Sequence, residues 1–310
     1  MGGSVEWPDG KRFAFTVFDD PDSQTLEDSR AVYSLLADLG FCTTKGVWTC
    51  GPFREGSSRS ETCDNPAYLR HVTDLQSQGF EIGFHNASLR SSEREATRSA
   101  LDQFKEYFGA YPSAMSNHFA NLEAIYWGES RFGGAGRWLY RLTRNGNALD
   151  YSGHRRESPY FWGDLCQAHI RYCRNFVFRE INTLRVCSEM PYHDPSLPFV
   201  RQWYASTEGA EAPLFLQAIS EANQDRLEEQ QGACIMYTHF GKGFVEDGRC
   251  SGQFRELMKR LSRKNGWFVP VSNLLDHLNA GRGGNRVLSP GERARLERRW
   301  IWEKMRYGTS

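Results

Sequence analysis

The residues best suited to chemistry in this sequence are two adjacent carboxylates, Asp19 and Asp20, at the end of an apolar stretch. Residues 13–18 are aromatic and β-branched, which predicts a buried strand. Pro21 already ends such a strand, so a turn alone does not need two acidic side chains. Neighbouring carboxylates repel each other and persist where a cation or a proton compensates them. The structural alternative is that Asp19 caps a helix beginning near Gln24 while Asp20 is solvated.

Three further predicted strands also end in polar side chains, several of which bind metals in other proteins. A single histidine at a strand end is more often a satisfied structural residue. Because parallel strands of a barrel place their carboxyl ends on one face, we expect these side chains to converge with the Asp pair. A carboxylate and several imidazoles at one point suit a divalent metal such as zinc, with one position open for water. The residues are His85 with Asn86, Asn117 with His118, and His239.

Strands and amphipathic helices alternate along most of the chain, which predicts βα units around a mainly parallel sheet. Residues 128–212 interrupt this rhythm and are predicted to form an irregular insertion. Within it we expect a helix from Trp162 to about Cys173, short strands at 175–178 and 183–186, and a loop over 187–212. The barrel-like domain is therefore predicted to span residues 11–280.

Residues 281–310 differ from the rest. Gly281 to Asn285 reads as a linker, and Pro290 begins a basic helix that carries Trp300 and Trp302. We expect this helix to dock on the barrel through its tryptophans. Contact with a membrane surface or a partner protein is the alternative.

The composition excludes several classes of function. Lys and Arg number 38, as do Asp and Glu, so no net charge recruits nucleic acid. No apolar run approaches the length of a transmembrane segment, and residues 1–13 contain no stretch of signal-peptide type. The eight cysteines form no CxxC pair, which indicates reduced thiols. These features predict a cytoplasmic protein.

Three segments resemble the motifs of one family. Residues 16–20, Thr-Val-Phe-Asp-Asp, resemble the Thr-Phe-Asp-Asp signature of polysaccharide deacetylases (carbohydrate esterase family 4, the NodB-homology fold). Residues 81–88 are similar to the family's second motif, in which a glycine and small apolar residues precede a metal-binding histidine. Residues 237–239 resemble the strand that delivers its catalytic histidine. The order and spacing match across about residues 13–278, and the resemblance implies a distorted (β/α)7 barrel.

The resemblance also implies a mechanism. It makes Asp19 the general base, Asp20 and His85 metal ligands, and His239 the general acid in hydrolysis of an acetyl amide or ester. The metal is expected to be a divalent ion, Zn²⁺ above all. Asn86 and Asn117, beside the histidines, are expected to contact a saccharide substrate. Tyr160 and Trp162 are predicted to stack on the sugar or, equally, to fill the core of the inserted region.

Two departures from the family's pattern bear on this site. Leu89 stands where the family has a second histidine ligand, and the Arg-Pro segment of the third motif is absent near residues 112–120. Either His118 supplies the third ligand, which we favour, or metal binding has been lost.

We therefore predict a metal-dependent hydrolase that removes an acetyl group from an amino sugar or saccharide, for example a cytoplasmic sugar precursor. Two rival interpretations stay open. One is a non-catalytic carbohydrate-binding relative of the same fold. The other is a metal-free glycosidase that uses two carboxylates, Asp19 with Glu81 or Asp164.

Overall fold

The computed structural model describes residues 5–51, 60–142 and 149–308 of the chain. Seven parallel strands pair in a ring, and the last of them pairs with the first, so that the sheet closes into a barrel. In ring order these strands are β1 (Phe13–Asp19), β2 (Thr44–Val47), β3 (Glu81–Phe84), β4 (Ala114–Met115), β5 (Tyr172–Phe178), β7 (Gln202–Glu208) and β8 (Ala233–Thr238). The expected seven-stranded α/β barrel is confirmed.

Short strands and helices surround this barrel. The additional strands are β6 (Tyr192–His193), β9 (Val245–Glu246), β10 (Arg249–Cys250), β11 (Gly266–Phe268) and β12 (Arg286–Val287). The helices are α1 (Leu26–Asp38), α2 (Pro66–Ser77), α3 (Arg94–Phe108), α4 (Gly134–Leu142), α5 (Gly163–His169), α6 (Thr183–Val186), α7 (Ala212–Ala218), α8 (Glu221–Glu229), α9 (Gly252–Ser262), α10 (Val271–Gly281) and α11 (Pro290–Tyr307).

Strand β1 is buried along its whole length because both of its faces meet apolar layers. Successive side chains of a strand point to opposite faces. Phe13, Phe15 and Val17 accordingly pack in one apolar cluster, while Ala14 and Phe18 pack in another. A sequence that is apolar at every position suits a parallel strand that is covered on both sides.

The segment predicted as an insertion contributes two strands of the barrel. Residues 172–178 form β5 and residues 202–208 form β7, so the predicted loop over 187–212 is wrong. The predicted helix after Trp162 is present as Gly163–His169, but it ends before Cys173, which belongs to β5 together with the predicted strand at 175–178. Residues 183–186 are helical, not extended. The polar pair Arg174 and Asn175 lies in the middle of β5, whose first three residues fall outside the predicted strand. Both side chains are nevertheless buried, because each has a polar partner inside the protein.

The C-terminal residues pack against the barrel. Strand β12 pairs in parallel with β6, and α11 follows, capped by Ser289. Trp300 is fully buried, with its ring 5.4 Å from that of Phe132, whereas Trp302 stays 50% exposed. The helix therefore docks through one of its two tryptophans. No helix within the described residues combines the length and the apolar character that crossing a membrane requires.

Candidate active site

The two adjacent carboxylates at the end of β1 point to opposite faces of the strand. Alternation places Asp19 on the face of Phe15 and Val17, and Asp20 on the face of Phe18. The amide of Asp20 continues the ladder by donating to the Thr238 carbonyl at 2.8 Å. The two carboxylates consequently meet different surroundings, and they have different partners.

Asp19 is fully buried, and both of its carboxylate oxygens are occupied. Oδ2 lies 3.1 Å from Nζ of Lys45, which is itself fully buried, and accepts hydrogen bonds from Gln24 and Tyr33. Oδ1 accepts from the amide of Phe240 at 2.9 Å. Four donors around one carboxylate leave little capacity for a water molecule. Asp19 is also not the cap of α1, since Thr25 and Asp28 form that capping box.

Asp20 forms a buried bidentate ion pair with Arg174 from the middle of β5. Its oxygens lie 2.5 and 3.1 Å from the guanidinium nitrogens, and Oδ1 also accepts from the Ser116 hydroxyl at 2.7 Å. Burial alone would raise the pKa of Asp20, but the Arg174 charge outweighs it and the pKa is lowered. Asp20 therefore stays ionised, with its charge directed at an arginine.

The histidines at the ends of β3 and β4 are both fixed in one tautomer. Ser116 gives its only hydrogen to Asp20, so its oxygen accepts from Nδ1–H of His85 at 2.7 Å. Asn121 Oδ1 accepts from Nδ1–H of His118 at 2.9 Å. Each imidazole therefore carries a proton on Nδ1, and its Nε2 faces away from that partner. This is the arrangement that metal-binding histidines adopt.

The third histidine, at the end of β8, is oriented in the same way. Nδ1 of His239 donates to the Ala210 carbonyl at 2.6 Å, and the Tyr237 hydroxyl lies 3.4 Å from its Nε2. Burial lowers the pKa of His239, although the Asp20 and Asp22 carboxylates oppose this effect. His239 thus also presents an Nε2 lone pair.

All three Nε2 atoms face the carboxylate of Asp22. The distances are 3.3 Å from His85, 3.2 Å from His118 and 3.6 Å from His239. Burial alone would raise the pKa of Asp22, yet the imidazoles of His118 and His85 beside it hold its pKa below its usual range. Asp22 follows Pro21 in the turn after β1, and this turn carries the carboxylate over the barrel's carboxyl end.

The donor set fits a divalent metal. One ligand atom each from Asp22, His85 and His118 lies within 4.8 Å of the other two, and all three side chains are buried. Oδ2 of Asp22 and Nε2 of His85 are buried without a hydrogen-bonding partner. Nitrogen lone pairs that face an ionised carboxylate repel it unless a proton or a cation lies between them. One carboxylate with two or three imidazoles is a donor set typical of zinc.

Other side chains pack behind His85 and His118 and support them. Trp48 is fully buried, and its ring lies 5.8 Å from that of His85 and 5.5 Å from that of His118. Behind His118, Asn121 donates to Glu123 at 2.8 Å, and burial raises the pKa of Glu123 to about 7. The imidazoles therefore lie between an aromatic wall and a polar network.

Three of the four residues expected to bind substrate make structural contacts within the protein. Oδ1 of Asn86 accepts from the amide of His118 at 2.7 Å, which ties the ends of β3 and β4 together. Both polar atoms of the Asn117 side chain bond to the backbone of Ile125. Trp162 is fully buried, and its indole nitrogen donates to the Glu123 carbonyl. It therefore fills the core, which was the second of the two roles predicted for it. Tyr160 is half-buried in a turn.

Asp22 and Arg174 are the site residues that sequence reasoning missed. The sequence contains a signal for Asp22, because residues 19–22 hold three carboxylates and not only the adjacent pair. Arg174 gave a weaker signal, a single arginine in a short segment that is otherwise rich in apolar residues. It provides the buried cation that compensates Asp20.

The two-carboxylate alternative finds no matching geometry. The carboxylate of Glu81 accepts from Thr44 and from the Ser272 amide. Asp164 forms a bidentate ion pair with Arg94. Both acids are engaged with partners other than Asp19, so neither Glu81 nor Asp164 forms a pair of free carboxylates with Asp19.

Comparisons with known proteins agree on the fold. No protein-family model and no curated protein matches the sequence. A solved structure assigned as a polysaccharide deacetylase from Mycobacterium smegmatis is similar over 93% of this chain and 97% of its own, with a TM-score of 0.53 and 14% identity. Another from Pseudomonas aeruginosa PAO1 gives 0.52 and 12%, over 90% of this chain and 95% of its own.

The structure of PuuE allantoinase is also similar, with a TM-score of 0.50 and 13% identity over 90% of this chain and 94% of that one. At such low identities, likeness demonstrates a common fold. The resemblance to the polysaccharide deacetylases that the motifs indicated is thus confirmed at the level of the fold.

Proposed function

We propose that this protein is a metal-dependent hydrolase of the deacetylase type, which removes an acetyl or similar acyl group from a saccharide. The observation that carries the proposal is the convergence of three Nε2 atoms on one buried carboxylate, that of Asp22. Such a donor set at the carboxyl end of a parallel barrel lies where barrels of this kind place their active sites.

Asp22, His85 and His118 would hold the ion. His118 thus takes the place of the histidine that Leu89 replaces. Asp22 takes the ligand role that the motif resemblance gave to Asp20, because Asp20 is already paired with Arg174. A divalent cation bound there supplies a Lewis acid for the acyl carbonyl and lowers the pKa of water.

His239 is proposed to move the proton in both directions. Its Nε2 accepts a proton from the water as the water oxygen adds to the acyl carbon. The imidazolium then returns this proton to the leaving nitrogen or oxygen, the C–N or C–O bond breaks, and a carboxylic acid and a free amine or hydroxyl are released. This assignment gives His239 the base role as well as the acid role, because the oxygens of Asp19 are occupied.

The choice of a saccharide as the substrate is supported by the similarity of the fold to solved structures. Two of the similar structures are assigned as polysaccharide deacetylases. Assays on a panel of N- and O-acetylated sugars would determine which sugar is the substrate and whether the bond cleaved is an amide or an ester. Zinc and a cytoplasmic location remain predictions from the sequence.

The test is to measure metal content and acetate release together. Purified protein supplied with zinc is expected to hold about one ion per chain and to release acetate. Asp22→Asn and His85→Gln should lose both properties. His239→Gln should keep the metal and lose about 10²- to 10⁴-fold in kcat.

The matched control is His169→Gln, a histidine on α5 that stacks on Tyr111 away from the cluster. It should behave as wild type. Protein that holds no metal after zinc or cobalt is supplied would overturn the hydrolase proposal in favour of a binding module. Acetate release that survives chelation would overturn the metal's role.

A further inference from the structure

One exposed aromatic ring lies beside the candidate metal site. Phe119 directly follows His118, and the two ring centroids are 5.3 Å apart, with an angle of 59° between the ring planes. Its side chain is 65% exposed, and it is the one phenylalanine within the described residues with an exposed side chain. A large apolar side chain that remains in water is informative when it borders a functional site.

The backbone on both sides of Phe119 is held firmly. The Tyr151 hydroxyl donates to the Phe119 carbonyl at 2.6 Å, and the amide of Asn121 donates to the His118 carbonyl at 3.2 Å. The amide of His118 is bound in turn by Asn86. The ring therefore projects from a turn that the protein fixes on both sides, as a preorganised contact surface requires.

The charge distribution of a phenyl ring favours ligands that present C–H groups to its face. The face of an aromatic ring carries partial negative charge and attracts C–H groups that carry partial positive charge. A pyranose presents such C–H groups on one face. Because the Phe119 ring lies 5.3 Å from that of His118, a sugar ring attached directly to the acyl nitrogen or oxygen would lie near the phenyl ring.

We propose that Phe119 is a specificity-determining residue that stacks on the pyranose ring of the substrate while the acyl group lies at Asp22, His85 and His118. The inference rests on the proposed hydrolase function and deepens it. It names the substrate class as acylated pyranosides and distinguishes them from open-chain amides or esters. Phe119 takes the stacking role that the sequence suggested for Trp162.

The test compares two substrates that share an acyl group and differ in the ring. Hydrolysis of an N- or O-acetylated methyl pyranoside, chosen from the panel as the best substrate, is measured beside that of open-chain 2-acetamidoethanol or its O-acetyl analogue. Phe119→Ala should lower kcat/KM for the pyranoside about tenfold through KM and leave the open-chain value unchanged. Phe119→Tyr should restore the pyranoside value.

Trp138→Ala is the matched control, because Trp138 is an aromatic residue 61% exposed on α4. It should change neither substrate, and metal content should stay at the wild-type value in all three variants. Equal loss on both substrates, or no loss on either, would overturn the stacking role while the hydrolase function stands. If wild type hydrolyses neither class, the proposed function itself fails, and the stacking role fails with it.

Discussion

The Nε2 atom of His85 lies 3.3 Å from Oδ2 of Asp22, and neither atom has a hydrogen-bonding partner among the described residues. His118 and His239 approach the same carboxylate from the neighbouring strand ends. Unpartnered polar atoms cost free energy when they are buried, so this arrangement is stable when a cation or protons compensate it. The following predictions test this site and the buried charges around it.

Metal binding should stabilise the fold through Asp22. A ligand at a free concentration of 100 times its Kd raises the free energy of unfolding by about 2.7 kcal/mol. Urea denaturation with and without zinc measures this increment, which Asp22→Asn should abolish and His169→Gln should retain. An unchanged increment in Asp22→Asn would show that the ion binds elsewhere.

Asp19 should prove to be a structural residue. Asp19→Asn removes the charge that compensates Lys45, whose side chain is fully buried 3.1 Å away. Breaking a buried ion pair costs about 3–5 kcal/mol, so denaturation should show a loss of this order. The folded variant should still bind metal with wild-type stoichiometry. Wild-type stability combined with lost activity would instead support Asp19 as the general base.

The ion pair between Asp20 and Arg174 should be worth far more than a similar pair at the surface. Arg174→Met leaves a buried carboxylate unpaired and should cost about 3–5 kcal/mol of unfolding free energy. The bidentate pair of Arg94 and Asp164 has comparable distances, but both side chains are partly exposed. Arg94→Met should therefore cost less than about 1 kcal/mol. Similar costs for the two variants would contradict the burial argument.

The two tryptophans of α11 should differ in their contribution to stability. Trp300 is fully buried against Phe132 and Phe176, and Trp300→Ala should cost about 3–5 kcal/mol. Trp302 is half-exposed, and its replacement by Ala should change stability by about 0.5 kcal/mol or less. Thermal denaturation of both variants measures the difference. A larger loss at Trp302 would mean that the helix docks through its other face.

His71 on α2 should make the protein sensitive to acid. Burial and the nearby charge of Lys45 lower its pKa to about 4. The unfolded chain therefore binds more protons than the folded chain between about pH 6.5 and 4. Stability is fully present above this window and is lost as the pH falls through it.

For a partly exposed ring, this loss should be about 1–2 kcal/mol. His71→Gln should flatten the pH dependence of unfolding between pH 7 and 4 by that amount relative to wild type. Identical pH profiles for the two proteins would show that other groups cause the acid sensitivity.

The positions of the residues that follow β1, β3, β4 and β8 were predictable, because the local pattern of apolar and polar residues marks where each strand ends. An apolar run that ends in polar residues marks the end of a buried strand, and barrel topology then brings such ends to one face. His85, His118 and His239 were identified in this way, and the structure places all three around one carboxylate. Strand β5 was predicted only over residues 175–178, because Arg174 interrupts its apolar pattern and finds its partner only in the folded protein.

The sequence alone determined that metal-competent side chains lie at strand ends, since this depends on local pattern and parallel topology. The tertiary structure decided which carboxylate they share. Alternation along β1 turns Asp19 toward Lys45 and Asp20 toward Arg174, and both of those cations come from other strands. Asp22 is left to face the histidines. A carboxylate's role depends on the charges that packing places beside it, and those charges lie far away in the sequence.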